Sequence, residues 1–447
     1  MAHTSDGRLV RGLGRWDLVA LVINSIVGAG IFGLPSGAFA LAGTYSVFAY
    51  VVSATAIALV ILCFAEVGSR FTTTGGPYLY ARTAFGPLVG FQVGWLLWIG
   101  RIAASASLAN LFVVYVGYFF PAAAPWRPAI LTAIFAGLGA ANIGGVRLTA
   151  LVTNVLTIGK LIPLVVLVVV GAFFVDAGSL SLAAPPSYGA FSQAALLLIF
   201  AYTGFEGATI PSGEMRHPER HLPFALLVGL GIVTLVYVSV QVVCIGTLPD
   251  LAQSERPLAD ASLRFLGAPG ASFIAAGALV SIGGVMNAAM FATPRLLFAM
   301  GEHGQLPQVL CSTHTRLRTP VPAIMLTATI TLVFALFSTF TSALTISTIV
   351  RLIAYGSTCI ALPVLRRRPE IATAAFVAPA GGLVAFGALG LNVWLLSNSP
   401  FSEMGLAVIA VALGVVLYYA CARFPRPQIA PQPGSPFGFA PGDADRQ

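Results

Sequence analysis

A chain of 447 residues that is 57% hydrophobic and only 9% charged is not composed like a soluble globular domain, in which about a quarter of the residues carry charge. Its many windows of about 20 apolar residues read as a polytopic, all-α integral membrane protein. The formal net charge of +8 finds its explanation below in membrane orientation, so no nucleic-acid partner is expected. Five cysteines, Cys63, Cys244, Cys311, Cys359 and Cys421, show neither CxxC nor Cys/His spacing, so no disulfide framework, metal site or cofactor is expected.

After a polar, arginine-containing tail at 1–16, twelve transmembrane helices are predicted at about 17–43, 46–69, 85–119, 127–141, 152–175, 191–213, 224–247, 271–301, 321–337, 342–364, 373–397 and 403–422. The first run lacks a small-residue cleavage site and continues into further spans, so it reads as a span rather than a removed leader. Spans three and eight are long enough to tilt. With the N-terminus inside, sixteen arginines fall on the inner connecting segments, against only Arg127, Arg256 and Arg264 outside. That asymmetry predicts both termini in the cytoplasm and accounts for the basic balance. Residues 424–447, rich in Pro and Gly, read as a disordered cytoplasmic tail.

The first span is interrupted where the hydrocarbon is deepest, by Asn24-Ser25-Ile26-Val27-Gly28-Ala29-Gly30-Ile31-Phe32-Gly33-Leu34-Pro35. Unpaired backbone groups at that depth cost several kcal/mol, so a non-helical segment there must be buried in protein or line a cavity. Its half-helix ends would offer N–H groups to an anion and carbonyls to a cation, which suits a zwitterion. The competing reading is a pair of packing glycines and an ordinary proline kink. The sixth span repeats the anomaly in Phe200-Ala201-Tyr202-Thr203-Gly204-Phe205-Glu206-Gly207-Ala208-Thr209-Ile210-Pro211, and it starts on the opposite side of the membrane. Matched breaks in inverted positions predict a five-plus-five inverted repeat, with repeat one over 17–175 and repeat two over 191–365, and two extra C-terminal helices over 371–423. The site then lies at the interface of the repeats.

Taken in order, several motifs resemble the amino acid–polyamine–organocation permeases, a superfamily with the LeuT-type inverted-repeat fold. They are Gly28-Ala29-Gly30-Ile31-Phe32, Phe64-Ala65-Glu66-Val67, Gly75-Gly76-Pro77-Tyr78-Leu79-Tyr80, and Phe200 to Glu206. Gly213-Glu214-Met215-Arg216-His217-Pro218-Glu219-Arg220 follows, then Asn287-Ala288 with Arg295 and Ala299-Met300. The resemblance covers about Gly14 to Arg368 and is nearest to prokaryotic amino acid permeases and the cationic amino acid transporter branch. It implies a substrate carboxylate on the backbone amides of Ala29, Gly30 and Ile31. The substrate amine would meet carbonyls near Ile26 and those of Phe200, Ala201 and Thr203. Gly28, Phe205 and Glu206 complete the candidate substrate-binding set. One departure is the acidic pair expected after span six, reduced here to Gly213-Glu214.

Four cationic residues fall within spans: Arg101, Lys160, Arg295 and Arg351. Lys160, the sole lysine beside 22 arginines, sits in span five. A buried lysine can exchange its proton whereas an arginine effectively cannot, so Lys160 is the candidate for proton coupling. Sodium-independent members of the superfamily similarly carry a lysine on span five. The alternative is a fixed cation propping the carbonyls of span one. Glu206 could pair a cationic substrate, cap the second half of span six or take protons, and internal pairing is the commoner use. Arg101 and Arg351 could line the path or pair with Glu206 or free carbonyls. Arg295 is expected to snorkel or to pair with Glu66 or Glu214. Phe205, Trp95 and Trp98 could gate or simply pack.

The expected activity is secondary transport of an amino acid by alternating access, coupled to protons, in a plasma or bacterial inner membrane. Exchange, or carriage of a polyamine with Lys160 permanently charged, stands as an alternative, and a non-transporting amino acid sensor as another. No Ser/His/Asp set, HExxH or Walker loop appears, so the chain does not read as an enzyme or an ATP-driven pump. Which amino acid is carried and the oligomeric state stay open.

Overall fold

The computed structural model describes residues 14–71, 76–144, 160–182, 184–209, 217–314, 319–399 and 401–421. Residues 1–13 of the expected N-terminal tail, the expected C-terminal tail, residues 152–159 of span five, Pro211 and Gly213 to Arg216 lie outside these residues, and Arg15 and Trp16, expected in the tail, begin the first helix. Every regular element among the described residues is helical. Seven segments are long and apolar enough to cross a membrane, joined by three shorter apolar helices. Large apolar side chains point outward along them, among them Leu235, Phe337, Leu383 and Phe386, each more than two-thirds exposed. Such a surface is stable only against lipid, which makes this a multi-pass membrane protein.

The chain begins with α1 (Arg15–Ile26) and α2 (Ala29–Ala42), followed by α3 (Ser46–Gly68), α4 (Gly76–Phe85), α5 (Pro87–Phe119) and α6 (Arg127–Ile143). Then come α7 (160–171), α8 (Tyr188–Tyr202), α9 (Pro218–Thr247) and α10 (Pro257–Glu302). The last four are α11 (Val321–Phe337), α12 (Phe340–Arg366), α13 (Gly381–Ser397) and α14 (Phe401–Cys421). At 12 and 14 residues, α1 and α2 are about 18 and 21 Å long, so neither crosses the ~30 Å hydrocarbon alone. Together they do.

Several boundaries differ from the sequence reading, among them the start of the seventh span, at Pro218 rather than near 224. The stretch before span three forms its own helix, α4, separated from α5 by Gly86 at φ +93°, a conformation that favours glycine. The eighth span extends back to Pro257, with a kink at Gly267 (φ +66°) dividing the run. The eleventh helix starts at Gly381 rather than near 373.

Packing follows the breaks. Helix α1 lies on α9 and α2 lies on α8, while α3 packs against both α8 and α9; α5 runs between α10 and α12. The halves of the first broken span are thus held by different partners. This arrangement puts the gap between them in the interior.

Candidate functional site

The first break is shorter than the glycine content suggests. Helix α1 ends at Ile26, Val27 is extended (φ −70°, ψ 100°), and Gly28 takes φ −142°, ψ −141°; helix resumes at Ala29. The interruption expected within Asn24 to Pro35 is therefore narrowed to Val27 and Gly28, because one non-helical glycine suffices to redirect the chain. Gly30 and Gly33 serve packing instead. A β-carbon on Gly33 would lie 2.7 Å from the Phe340 ring and 2.9 Å from Leu111. The change of direction and the close packing thus fall on different glycines of the motif.

At this break the last carbonyls of α1 are taken by side chains from elsewhere. The Lys160 ammonium donates to Asn24 O at 2.7 Å and Val27 O at 2.9 Å. The Tyr237 hydroxyl donates to Ile26 O at 3.1 Å and, across to the other broken span, Ala201 O at 3.0 Å. Lys160 is fully buried, and its place at the negative end of the α1 dipole is favourable for a cation. On the other side, Gly28 provides no side-chain cap, so the first-turn N–H groups of α2 at Ala29, Gly30 and Ile31 have no partner within the helix.

The second break begins where α8 stops at Tyr202. Phe200 O accepts both the Thr203 N–H (3.0 Å) and the Thr203 hydroxyl (2.8 Å), which closes the helix. Gly204 then turns at φ +112°, and a β-carbon there would overlap the Ser25 carbonyl oxygen. Only glycine lets the two broken spans approach this closely. A 3₁₀ run, Phe205–Thr209, follows.

Glu206 sits in that run, buried, with one carboxylate oxygen hydrogen-bonded and the other facing only charge. It accepts the Tyr355 hydroxyl at 2.7 Å and the Gly204 N–H at 2.9 Å on Oε2. Its Oε1 faces the guanidinium of Arg351 at 3.2 Å and that of Arg101 at 3.8 Å. Arg351 and Tyr355 stand one turn apart on α12, so one helix face delivers both. Arg101 comes from the middle of α5.

Between the breaks lies a cavity of about 240 Å³, below the ~300–1,000 Å³ of sites for drug-sized ligands and on the scale of one small solute. Of the expected binding residues, Ile26, Gly28, Gly30, Phe200, Thr203 and Glu206 line it, together with Arg101 and Arg351. Ile31, Ala201 and Phe205 are not among the lining residues. The Phe205 ring is buried against Phe64 and Tyr355, with centroids at 5.2 and 5.1 Å, and is a packing residue rather than a wall of the cavity. Lys160 also stays behind the backbone, reaching the site through the α1 carbonyls.

Other expectations shift. Arg295 does not pair with Glu66: its guanidinium lies over its own helix's Phe291 ring at 3.4 Å and donates to Phe291 O. Glu66 instead receives two bonds from Arg366, each 2.6 Å, with Arg70 at 3.3 Å and the Ala378 N–H at 2.9 Å. Trp95 and Trp98 stack on each other at 5.1 Å, and their indoles donate to Ala410 O and the Thr327 hydroxyl. They pack α5 against α14 and α11. The sequence reading missed Tyr237 and Tyr355, whose only signal was a lone tyrosine in an apolar span; buried hydroxyls of that kind need partners.

Comparison with known proteins places this arrangement in context. The family profile described as "Amino acid permease" matches residues 13–421. The chain is 27% identical to the methylthioribose transporter of Bacillus subtilis (strain 168), covering 94% of this chain and 95% of that protein. It is 28% identical to the serine/threonine exchanger SteT of the same organism, covering 94% and 99%. It is also 28% identical to the Homo sapiens large neutral amino acids transporter small subunit 2, covering 92% and 80%.

Proposed function

Because the chain belongs to the amino acid permease family, we propose that it moves an amino acid across the membrane as a secondary transporter, by alternating access about the cavity between its two broken spans. It is a transporter and not an enzyme. The observation that carries the mechanism is that two breaks, one at Gly28 and one at Gly204, line the same cavity. Non-helical backbone at that depth is tolerated where it lines such a space.

In this reading the twelve spans form two inverted repeats of five plus a final pair, with both termini cytoplasmic, in a plasma or bacterial inner membrane. The substrate carboxylate docks on the α2 amides of Ala29, Gly30 and Ile31, at the positive end of that half-helix. The amine takes the carbonyl of Thr203 and the second lone pair of Ile26 O. Phe200 O already holds two donors, and Ala201 O is turned to Tyr237, so these two carry less of the amine than the resemblance implied.

Proton coupling is assigned to Lys160. Its ammonium holds the last turn of α1 in place by two charge-assisted bonds; loss of the proton weakens both and frees the half-helix to move. Exchange with a permanently charged Lys160 is the second reading, favoured by the fact that both of its bonds go to backbone carbonyls and none to a carboxylate. Uptake into proteoliposomes separates them. Proton coupling requires labelled amino acid to accumulate under an imposed pH gradient with nothing preloaded inside, whereas uptake seen only with internal amino acid marks an exchanger. Saturable binding with neither kind of uptake would overturn transport itself.

A further inference from the structure

The cavity is electrically unbalanced. Among its lining residues Arg101, Arg351 and Glu206 are the ionisable ones, two guanidinium groups against one carboxylate. Their side chains are 12%, 7% and 1% exposed, so bulk water does little to compensate the difference. The carboxylate has one oxygen hydrogen-bonded and one, Oε1, without a hydrogen bond. Tyr355 and Gly204 occupy Oε2, and Oε1 lies nearer Arg351, at 3.2 Å, than Arg101, at 3.8 Å. Arg101 makes no hydrogen bond among the described residues; its one charged partner, Glu206, is beyond hydrogen-bond reach. A guanidinium carries five N–H donors in a fork matched to a carboxylate. The Arg101 fork therefore faces the cavity unused, whereas Arg351, whose Nε also lacks a partner, is the guanidinium within closer ion-pair distance of Glu206.

Charge balance then discriminates between substrates. A cationic amino acid or a polyamine would add charge of the same sign to a buried surplus, and a zwitterion with a neutral side chain would leave the surplus as it is. An amino acid with an acidic side chain brings the one negative charge that cancels it. In a low-dielectric site that difference outweighs the packing of a few methylenes.

Resting on the transporter reading above, we propose that the cavity selects amino acids with an anionic side chain, whose second carboxylate pairs with Arg101 while the α-carboxylate docks at the start of α2. Arg101 is then the residue that sets specificity, and Arg351 holds Glu206 in place.

Glutamate and glutamine, nearly the same in shape and different in charge, give the test. The purified full chain is assayed for binding by thermal shift and for competition against labelled L-glutamate uptake in proteoliposomes, with L-aspartate, L-glutamine, L-leucine, L-arginine and putrescine as competitors. The expected result is that glutamate or aspartate binds at least roughly tenfold tighter than glutamine, the scale of one charge-assisted bond. Arg101→Gln should bring the glutamate-to-glutamine affinity ratio down to about one, and Arg101→Lys should restore part of the preference. Glutamine, leucine or arginine binding as tightly as glutamate in the unaltered protein would overturn the selectivity and leave the transporter reading standing. Binding of no amino acid at all would overturn both. If Arg101→Gln does not fold, the glutamate-to-glutamine ratio of the unaltered protein and of Arg101→Lys decides.

Discussion

Gly30 and Ala201 meet where α2 crosses α8 with room for only a hydrogen between them: a β-carbon on Gly30 would lie 2.7 Å from the Ala201 Cα and 2.9 Å from its Cβ. The contact joins the second half of one broken span to the first half of the other. Gly30 itself also lines the cavity. Gly30→Ala should cost about 1–3 kcal/mol by overpacking and weaken substrate binding, because the crossing must widen. Gly30→Val should abolish the substrate-dependent thermal shift altogether. An unchanged affinity in Gly30→Val would detach the first break from the site.

Gly204 is constrained twice, by its φ of +112° and by the Ser25 carbonyl that a side chain would strike. A strained backbone position of this kind costs about 1–3 kcal/mol when glycine is replaced, and the steric overlap adds to it. Gly204→Ala is expected to lower the detergent-solubilised unfolding temperature and to remove uptake. Gly231, with open space around it, is the control: Gly231→Ala in the middle of α9 should leave both intact or raise stability slightly through helix propensity.

Lys160 reaches 136 residues back along the chain to Asn24 O. Lys160→Ala leaves the Asn24 and Val27 carbonyls unpaired, about 1–3 kcal/mol for each such buried group, and removes the exchangeable charge. Uptake driven by a pH gradient should vanish. Lys160→Arg supplies donors and a charge that does not come off, so it separates propping from coupling: counterflow should persist in it while pH-driven accumulation fails. Accumulation that still follows the pH gradient in either variant would reassign the coupling residue.

The places where the sequence was legible are those where the signal is local. The two breaks announced themselves because glycine and proline at membrane depth conflict with helix, and span ends such as 342–364 against Phe340–Arg366 differ by a turn or less. Pairing of Glu206 with Arg101 and Arg351 was foreseeable because lone charges in apolar spans must find one another. What could not be read was register between distant helices. Tyr355 meets Glu206 across 149 residues and Tyr237 meets Ile26 across 211, and no periodicity along either helix encodes which face turns to which partner. Arg366 illustrates the opposite error: within Arg366-Arg367-Arg368 it looked like an orientation signal alone, yet it forms the two-pronged bond to Glu66 that had been offered to Arg295.

Glu206 is expected to be the most sensitive single position in the cavity wall. Removing one partner from a buried ion pair leaves an uncompensated charge, roughly 3–5 kcal/mol, and Glu206→Gln leaves two, since Arg351 and Arg101 both face Oε1. The glutamine keeps the shape and can still accept from Tyr355, so packing is not what the substitution removes. Tyr355→Phe provides the comparison, because it deletes one hydrogen bond, about 0.5–1.5 kcal/mol, and leaves the charges as they are. Thermal unfolding of the three proteins in one detergent should therefore rank the unaltered chain above Tyr355→Phe and Tyr355→Phe well above Glu206→Gln. Were the carboxylate there only to cap Gly204, the two substitutions would cost alike. Glu206→Gln together with Arg351→Gln should recover part of the loss, because neutralising one guanidinium returns the cavity to the same surplus of one positive charge that it carries unaltered.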